Sequence, residues 1–589
     1  MKNPGNLFII IIAIQALTAC EDALDKFPKD RTYPEDYFRT ETELQLYTNQ
    51  FYTYLPEASA VYDEASDLIA KQQLPAVVTG LRDIPATGGG WSWSQLRVIN
   101  ECIVGLKNCS DEKLREKYEG IARFFRAYFY FEKVKRFGDV PWYDHPIGSA
   151  DKDLYKPRDS RELVMTKIIE DLDFAAAHLG TAREVYKIGK WTALALKSRV
   201  CLFEGTFRKY HGITYPEHDY RYYLTQAAEA ADNFIADSGY RLYTSTPATA
   251  YRDLFAGLNA RPEEVILARD YNGAIGLTHS VNFFLSSTSF GRPSLTKKIV
   301  NTYLTVTGGR FTDLQGYETK NFKDECTNRD PRLAQTIRTP GYTRIGETTS
   351  LAPNLAFTIT GYQLTKWMMG AAYDVINTSC NDIILFRAAE VYLNFAEAKA
   401  ELGTLTQADI NRSVKLIRDR VGMPNLDVAA ANAAPDPYLE SPATGYPNAE
   451  AGAYRGVILE IRRERSIELI SEGFRYYDLV RWKEGKAMEQ AMYGIYVPAM
   501  GDYDLDGYGG VDVCFYRGTK PATSAAVSLE IEKDMFLSNG QNGYMDPHQN
   551  TPRNWNETRD YLYPLPIEDR LLTNGALTQN PGWDDGLSF

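Results

Sequence analysis

The sequence predicts a mainly α-helical protein, in which helical pairs form a scaffold that carries long irregular loops and a few short β segments. Three observations lead to this fold class. Amphipathic stretches with a period near 3.6 residues cover much of the chain. Small residues recur where consecutive stretches would have to cross closely. The segments between the helices are long and rich in Gly, Thr, Ser and aromatic residues.

The chain begins with a lipoprotein-type export signal. Residues 7–17 form a mostly apolar run that is too short to span a bilayer of ~30 Å, and Ala19 precedes Cys20. A small residue before cysteine suits a bacterial lipoprotein signal peptidase, which cleaves after the thiol has received a diacylglycerol. We therefore expect residues 1–19 to be removed, Cys20 to be lipidated and residues 20–35 to be a tether. An ordinary secretory signal that ends in Cys is the alternative.

Amphipathic periodicity predicts helices over residues 121–137, 159–179, 191–210, 219–237, 382–402 and 407–421. The first of these is apolar nearly all round, which predicts a deeply buried helix. Asp159 and Glu162 predict a capping box at the start of the second, and Gly403 predicts the end of the fifth. Helical pairs of roughly 34 residues resemble tetratricopeptide units, although no stretch matches the full consensus. A short β segment is predicted at residues 264–269.

Long irregular segments separate these helices. They cover residues 77–92, 245–380, 429–452 and 498–557. Loops of this length in a folded protein usually carry function or cover another element. A helical scaffold with such loops fits a binding protein better than a compact enzyme.

Composition excludes several classes of function. The net charge is −12 and no Lys/Arg cluster appears, which argues against a nucleic-acid partner. No apolar stretch after residue 17 is long enough to cross a membrane. The chain has no HExxH, GxSxG or GxxxxGK motif and no CxxC pair, so we predict no enzyme activity, cofactor or metal site. A glycosidase needs only two carboxylates, and 77 acidic residues leave that alternative open.

The sequence DYDLDG imitates the first half of a calcium-binding loop. It places Asp502, Asp504 and Asp506 at alternate positions before Gly507. The twelfth position, where a bidentate carboxylate should stand, is Val513. A polar turn is therefore favoured over an ion site, and calcium binding here stays open.

Four groups of motifs together resemble the SusD/RagB family of outer-membrane nutrient-binding lipoproteins. They are RAYF and FGDVPW at 126–129 and 137–142, AAEVYLN and AEA at 388–394 and 396–398, RRER, EL, EGFR and DLVRW within 462–482, and YPLP and QNPGW at 563–566 and 579–583. Their order and spacing match the family over nearly the whole mature chain. The third and fourth groups are highly specific in combination, and Cys20 matches the family's lipidated position.

The resemblance implies a function as well as a fold. Family members are mainly helical, with tetratricopeptide-like pairs on one side and loops on the other. They bind a glycan, or in some cases peptides, at the cell surface of Bacteroidetes and cap a SusC-like TonB-dependent transporter; the family is not catalytic. We expect residues 36–300 to form a SusD-like N-terminal region and residues 301–589 the C-terminal region, on the outer membrane and facing the cell surface.

The shared motifs have a structural explanation first. Arg465 and Glu468, like Glu472 and Arg475, are one helical turn apart and can pair. So many charges in one segment predict a partly buried network that fixes helix geometry. Gly473 suits a left-handed position at a helix end. The family's ligand contacts lie in variable loops, so the motifs themselves carry no ligand residue over to this chain.

Elimination therefore selects the candidate glycan-binding residues. Trp142, Trp482 and Trp583 belong to the motifs and Trp191 opens a helix, so these four are expected in the core. Trp91 and Trp93 follow three glycines and precede a helix beginning near Ser94; an extended backbone would place both rings on one side, where a sugar could pack. The remaining candidates are Arg82, Asp83 and Asn100, which are near in sequence and could bind hydroxyls, together with Trp367 and Tyr62.

The sequence thus predicts a lipid-anchored subunit of a polysaccharide uptake system, with a glycan ligand and a SusC-like transporter as partners. Contact with the membrane is expected through the lipid anchor only. Three alternatives remain: the same scaffold serving peptide uptake, a glycan-cleaving enzyme, and a structural lid that binds the transporter but no nutrient.

Overall fold

The computed structural model describes residues 37–62, 64–148 and 150–589, apart from the Tyr62 side chain. The predicted signal, Cys20 and the predicted tether lie outside the described residues. Helices form most of the described chain: α1 Glu41–Asn49, α2 Ser59–Tyr62, α3 Ala76–Thr79, α4 Ser94–Gly105, α5 Glu112–Phe137, α6 Arg161–His178, α7 Lys190–His211, α8 Tyr220–Asp237, α9 Ala250–Ala256, α10 Val281–Leu285, α11 Lys297–Thr302, α12 Phe322–Cys326, α13 Pro331–Ala334, α14 Ala388–Glu401, α15 Gln407–Asn411, α16 Val414–Asp419, α17 Val428–Ala433, α18 Pro437–Glu440, α19 Arg455–Glu468, α20 Arg475–Arg481 and α21 Ile567–Leu572.

Short strands add small sheets to this scaffold. They are β1 Ile69–Ala70, β2 Val265–Arg269, β3 Ser294–Leu295, β4 Ile383–Arg387, β5 Tyr496–Val497, β6 Gly501–Tyr503, β7 Val513–Tyr516, β8 Val527–Glu530 and β9 Gly543–Tyr544. β1 pairs with β3, β2 with β4 and β5 with β9, all antiparallel. β6, β7 and β8 form a mixed sheet, antiparallel between β6 and β7 and parallel between β7 and β8. The mainly helical fold class is confirmed.

The long helices pack in chain order. α5 packs on α6, α6 on α7, α7 on α8, α8 on α14 and α14 on α19. Small residues occur in both helices of the α7–α8 pair, where Ala193 and Ala227 are fully buried. A Cβ at Gly205 would lie 2.8 Å from Leu224 Cγ, so α7 can approach α8 this closely only with glycine there. The predicted pair of helices at residues 191–210 and 219–237 is thus present as α7 and α8.

The structure corrects three predicted helix boundaries. α6 begins after Ser160, whose hydroxyl caps Leu163 N–H, so the predicted Asp159 capping box is wrong. Residues 383–387 form β4 because their backbone pairs with that of β2, and the helix begins only at Ala388. The predicted helix at 407–421 is two short helices, α15 and α16, separated by a break at Arg412–Ser413.

The predicted charge network exists, and it is fully buried. Glu468 accepts hydrogen bonds from three guanidinium groups, those of Arg420 at 2.5 Å, Arg387 at 2.7 Å and Arg332 at 3.2 Å. Burial alone would raise the pKa of Glu468, but these cations outweigh it and hold that pKa well below its usual range. The carboxylate therefore joins α19 to the segments carrying β4, α13 and α16.

The predicted local pairs within this segment are wrong. Arg465 donates to Asp478 at 2.8 Å, and Arg475 donates to Asp67 through both Nε and Nη2, at 2.8 and 2.7 Å. Each arginine reaches a different element instead of its neighbour one turn away, because a buried guanidinium must find a carboxylate wherever packing places one. These pairs fix the relation between helices and loops.

Candidate functional site

The candidate site is a cleft of about 440 Å³ with walls from three parts of the chain. The first wall is the segment that contains Trp91, Trp93 and the start of α4. The second consists of residues 141–147 and 154–155, and the third is α21 with the residues that follow it. The cleft brings Trp91, Trp93 and Asn100 together, which are three of the residues predicted from the sequence.

Trp93 provides the ring surface of the first wall. It occupies the N-cap position of α4 and is half-buried. Its ring meets Trp91 edge to face at 5.3 Å and 81°, and Tyr143 in the same way at 5.7 Å and 85°. Packing on several sides fixes this ring and leaves part of it open to the cleft, as a sugar-stacking surface requires.

Trp91 has a different role from the one predicted. Only 3% of it is exposed, and its ring packs perpendicular to Phe137 at 4.8 Å. The two tryptophans are nearly perpendicular, so they do not form the common platform expected from an extended backbone. Trp91 supports Trp93 from behind, because the glycine-rich approach turns its ring into the core.

Two cations of α5 hold the glycine loop before these tryptophans. Lys133 Nζ donates to Gly90 O at 2.5 Å and to Ser92 O at 2.7 Å, and Arg136 Nη2 donates to Gly89 O at 3.1 Å. Gly88, Gly89 and Gly90 all have positive φ, of 74°, 56° and 91°. This left-handed run is accessible only to glycine at low cost. Burial lowers the pKa of Lys133 to about 8.

The second wall contributes Tyr143 and Tyr155. Tyr143 is half-buried; its hydroxyl donates to Asp153 O at 3.1 Å, and its backbone N–H donates to the Tyr130 hydroxyl at 2.6 Å. Tyr155 is 52% exposed. Asn100 is fully buried, and its side-chain amide donates to Tyr143 O at 2.9 Å and to His145 O at 3.2 Å. Asn100 therefore positions this wall and does not face a ligand, which corrects its predicted role.

His145 adds a polar group to the same wall. Its Nδ1 lies 2.9 Å from Asp144 Oδ1, and this hydrogen bond raises the pKa of His145. On the opposite wall, Leu572 of α21 is 71% exposed and Asp569 offers a carboxylate. α21 is fixed by Ile567 N–H, which donates to Pro85 O at 3.0 Å. The cleft therefore combines aromatic and aliphatic surface with a few polar groups.

The other predicted site residues lie elsewhere. Arg82 donates to Asp560 and stacks on Tyr563, with its guanidinium carbon 4.4 Å from the ring centre, so it secures the C-terminal segment. Asp83 is exposed on the same loop but does not line the cleft. The predictions at Tyr62, whose side chain is not described, and at Cys20 lie outside the described residues.

Trp367 is buried, which corrects its predicted role in glycan binding. It is 1% exposed, its indole N–H donates to Ser471 O at 2.9 Å, and its ring packs on Phe255 at 4.7 Å. A ring enclosed on all sides has no face for a sugar, so Trp367 acts in packing. Four other tryptophans were expected in the core. Trp191, Trp482 and Trp583 are buried there, while Trp142 is half-buried and stacked on Tyr130.

Sequence reasoning missed Tyr143, Tyr155 and His145. A signal existed for the first, because Tyr143 directly follows the FGDVPW motif that ends at Trp142. Tyr155 and His145 lie in a polar loop with no periodicity. Only the fold brings that loop opposite Trp93.

The acidic segment near residue 504 forms a turn whose carboxylates bind backbone amides. Asp504 accepts from Gly507 N–H at 2.5 Å and Gly509 N–H at 2.8 Å, and Asp512 accepts from Leu505 N–H at 2.8 Å. Asp504, Asp506 and Asp512 have carboxylate oxygens within 4.8 Å of one another. These hydrogen bonds from backbone N–H groups explain why the carboxylates cluster, and they make the segment a polar turn.

The cleft can bind a ligand but lacks one arrangement needed for glycoside cleavage. Asp569 is the one carboxylate among the described residues that line it. Glycoside hydrolysis ordinarily uses two carboxyl groups on either side of the scissile bond. Aromatic surfaces with scattered hydrogen-bonding groups suit recognition of a ligand that has apolar faces and polar edges. Such a cleft on a helical scaffold is typical of binding proteins.

Comparison with known sequences places the chain in a family. The SusD family profile matches residues 264–583, which is 320 of the 589 residues. The chain belongs to the SusD/RagB family, as its motifs indicated. It is 23% identical over 533 residues to SusD-like protein P38 of Formosa agariphila, covering 83% of this chain and 92% of that protein. A SusD-like protein of Bacteroides ovatus is 25% identical over 305 residues, covering 48% and 53%.

Solved structures share the fold. A SusD-like protein of Bacteroides fragilis superposes with a TM-score of 0.67 at 20% identity, covering 94% of this chain and 100% of that one. A second protein of the same species, described as a SusD-like carbohydrate-binding protein, gives 0.66 at 18% identity and covers 91% and 98%. A structure described as containing a xylogluco-oligosaccharide gives 0.58 at 17% identity and covers 92% and 97%.

Proposed function

We propose that this protein is a cell-surface, lipid-anchored binding protein that captures glycans and passes them to a SusC-like TonB-dependent transporter. The observation that carries the proposal is the cleft between Trp93, Tyr143 and Tyr155. A sugar ring has an apolar C–H face that packs on aromatic rings, while its hydroxyl edge needs hydrogen-bonding partners. The cleft offers both kinds of surface.

The family and its solved structures support a glycan as the ligand. The Bacteroides fragilis protein is described as carbohydrate-binding, and the xylogluco-oligosaccharide complex contains a glycan on the same fold. The cleft also has no cluster of cations: Arg97 is the one Lys or Arg among the described lining residues, and it pairs with Glu101 at 3.0 Å. An uncharged glycan is therefore favoured over an acidic one.

The proposed location rests on the sequence. Residues 1–19 have the pattern of a lipoprotein signal, and Cys20 would receive the acyl chains. None of the helices in the described residues is long and apolar enough to span a bilayer. We place the mature protein on the outer membrane, held by its lipid alone and close to the transporter.

We propose a binding function without catalysis. Among the described residues that line the aromatic cleft, Asp569 is the one carboxylate, whereas glycoside cleavage ordinarily uses two, and the aromatic surfaces favour retention of the ligand. Weak contacts are sufficient for such a function: a Kd near 1 mM corresponds to only ~4 kcal/mol. Many repeats along one polymer and enclosure against the transporter would strengthen capture.

The first test is binding of the purified mature protein to a panel of soluble polysaccharides and peptides. We expect at least one neutral polysaccharide to bind the protein, and we expect no release of smaller sugars. Binding to peptides alone, or cleavage of a polysaccharide, would contradict the proposal. The transporter role needs a second test, copurification of the full-length lipoprotein with a TonB-dependent barrel from native outer membranes.

A further inference from the structure

A second groove lies at the other end of α5 from the aromatic cleft. Its volume is about 650 Å³, and its walls are α1, the loop at residues 179–189 and the end of β2. Tyr118 of α5 lines this groove, whereas Tyr130 of the same helix contacts Trp93; the two positions are about 18 Å apart along the helix axis. No residue lines both cavities.

Two tyrosine rings in this groove are held in place by hydrogen bonds at their hydroxyl ends. Tyr186 donates to Asp382 Oδ2 at 2.6 Å, and its side chain is still 41% exposed. Asp382 is itself buried and also accepts two backbone N–H groups, so it is a rigid anchor. The Tyr52 hydroxyl accepts Ile188 N–H at 2.9 Å, and its ring is half-buried. Both rings are preorganised for contact with a ligand.

Polar groups without partners lie beside these rings. Gln45 and Asn49 are one turn apart on α1, both are exposed, and their side-chain amides make no hydrogen bond to any described residue. Each amide can donate and accept, which matches a hydroxyl group. Asn49 occupies the last position of α1, so its side chain is close to Tyr52 in the following turn.

Most of the charged side chains that line the groove form ion pairs. Lys117 pairs with Glu41 at 2.8 Å and Lys187 pairs with Glu184 at 2.7 Å. Asp270, which is exposed, adds a carboxylate to the lining. Arg269, the remaining cation among the described lining residues, pairs with Glu57 at 3.1 Å. An anionic ligand would therefore meet the Asp270 carboxylate without an unpaired cation among these residues, so the groove favours an uncharged ligand that forms many hydrogen bonds.

We propose that this groove is a second carbohydrate-binding site, which takes an uncharged oligosaccharide in addition to the aromatic cleft. The inference rests on the proposed glycan-binding function. Fixed tyrosine rings would contact the sugar faces, and the Gln45 and Asn49 amides would bind hydroxyls. Two separate sites would let one polymer chain engage the same protein twice, which raises its retention above that of either site alone.

The test is affinity electrophoresis of the mature protein in gels that contain xyloglucan, galactomannan, arabinoxylan or starch. The groove variant is Gln45→Ala with Asn49→Ala, both exposed and expected to fold, and Tyr186→Ala is a second variant. The cleft variant is Trp93→Ala. Tyr508→Ala is the matched control, because Tyr508 is an exposed tyrosine outside both cavities.

The expected result is retention about threefold weaker in the groove variants, for a polysaccharide that the unaltered protein retains, with a further loss when Trp93→Ala is added. If the groove variants migrate like Tyr508→Ala while Trp93→Ala loses retention, the second site is disproved and the proposed function stands. If the unaltered protein is retained by none of the four polysaccharides, both proposals fail.

Discussion

The ammonium group of Lys133 lies 2.7 Å from the carbonyl oxygen of Ser92, and this contact joins the buried helix α5 to the loop that presents Trp93. Lys133 also lies 5.5 Å from the Trp93 ring centre, so one side chain fixes both the backbone and the ring. Without Lys133, the glycine run before Ser92 keeps only the Arg136 contact to Gly89 O as a side-chain hydrogen bond from α5. Lys133 is thus a positioning residue for the cleft.

This contact predicts that glycan affinity falls as the pH rises from 7 to 9. Burial lowers the pKa of Lys133 from 10.5 to about 8, so the ammonium that donates to the loop becomes neutral in this range. A loss of about threefold is expected by titration calorimetry with a retained glycan. Lys133→Met should bind weakly at both pH values, and Lys135→Met, on the same helix, should behave like the unaltered protein.

As the pH rises, the contribution of Lys133 to the free energy of unfolding should change in the opposite direction from the glycan affinity. A lysine whose folded-state pKa lies below its unfolded value holds its proton less tightly in the folded protein, so its contribution to stability rises between pH 8 and 10.5. If the melting temperature of the unaltered protein falls together with its affinity between pH 7 and 9, general unfolding instead of loop loosening is the cause, which would contradict this role.

A second prediction concerns acid stability. Glu397 is fully paired inside the helical array: it accepts from Arg481 at 2.5 and 2.8 Å and from the Trp482 indole at 2.7 Å. Burial raises the pKa of Glu397, but the guanidinium of Arg481 outweighs it and lowers that pKa from 4.5 to about 2. The stabilisation is present above pH 4.5 and is lost as the pH falls towards 2.

Glu397→Gln should therefore lower the free energy of unfolding by about 3 kcal/mol at pH 7 and by much less near pH 2. Urea unfolding at both pH values measures this difference. Glu229→Gln, an exposed position on α8, is the control and should change little. An equal loss at both pH values would mean that the charge of Glu397 does not carry the effect.

A third prediction separates packing from binding at Trp367. Because the ring is enclosed among core residues, Trp367→Ala should cost about 3 kcal/mol of unfolding free energy and leave glycan affinity unchanged. Chemical denaturation and calorimetry on the folded variant check the two halves. A folded variant of normal stability with lost affinity would restore Trp367 to the ligand site.

A fourth prediction concerns the anchor. Cys20→Ala should remove the protein from the outer-membrane fraction, because the thiol that receives the diacylglycerol before cleavage is lost, whereas Cys326→Ser should leave it there. Fractionation with immunodetection measures the distribution, and mass spectrometry of the mature N-terminus measures the acylation. An unacylated N-terminus in the unaltered protein would contradict the proposed location.

Periodicity predicted the long helices well because burial of one face dictates the spacing of apolar residues. It could not separate β4 from α14, because Ile383–Arg387 is as apolar as the helix that follows and its strand character comes from pairing with β2. The buried charges were also foreseen as a network. Their partners were not, since Asp67 and Arg475 meet only through the tertiary fold.

The sequence predicted only part of the candidate site, and the reason is similar. A glycine run before two tryptophans identified the first wall of the cleft, because local backbone geometry and ring chemistry are both visible in the sequence. Which ring would face solvent depended on residues far along the chain: Phe137 packs on Trp91, whereas Phe129 packs on one side of Trp93, which stays half-buried. The second and third walls depend on long-range contacts alone.

The central claim is that Trp93 supplies a glycan-stacking surface, with Trp91 as its support. Titration calorimetry of Trp93→Ala with a polysaccharide retained by the unaltered protein tests it most directly. We predict a loss of affinity of about tenfold with a nearly unchanged melting temperature, whereas Trp91→Ala should lower stability by about 3 kcal/mol. Unchanged affinity in a folded Trp93→Ala protein would contradict the claim.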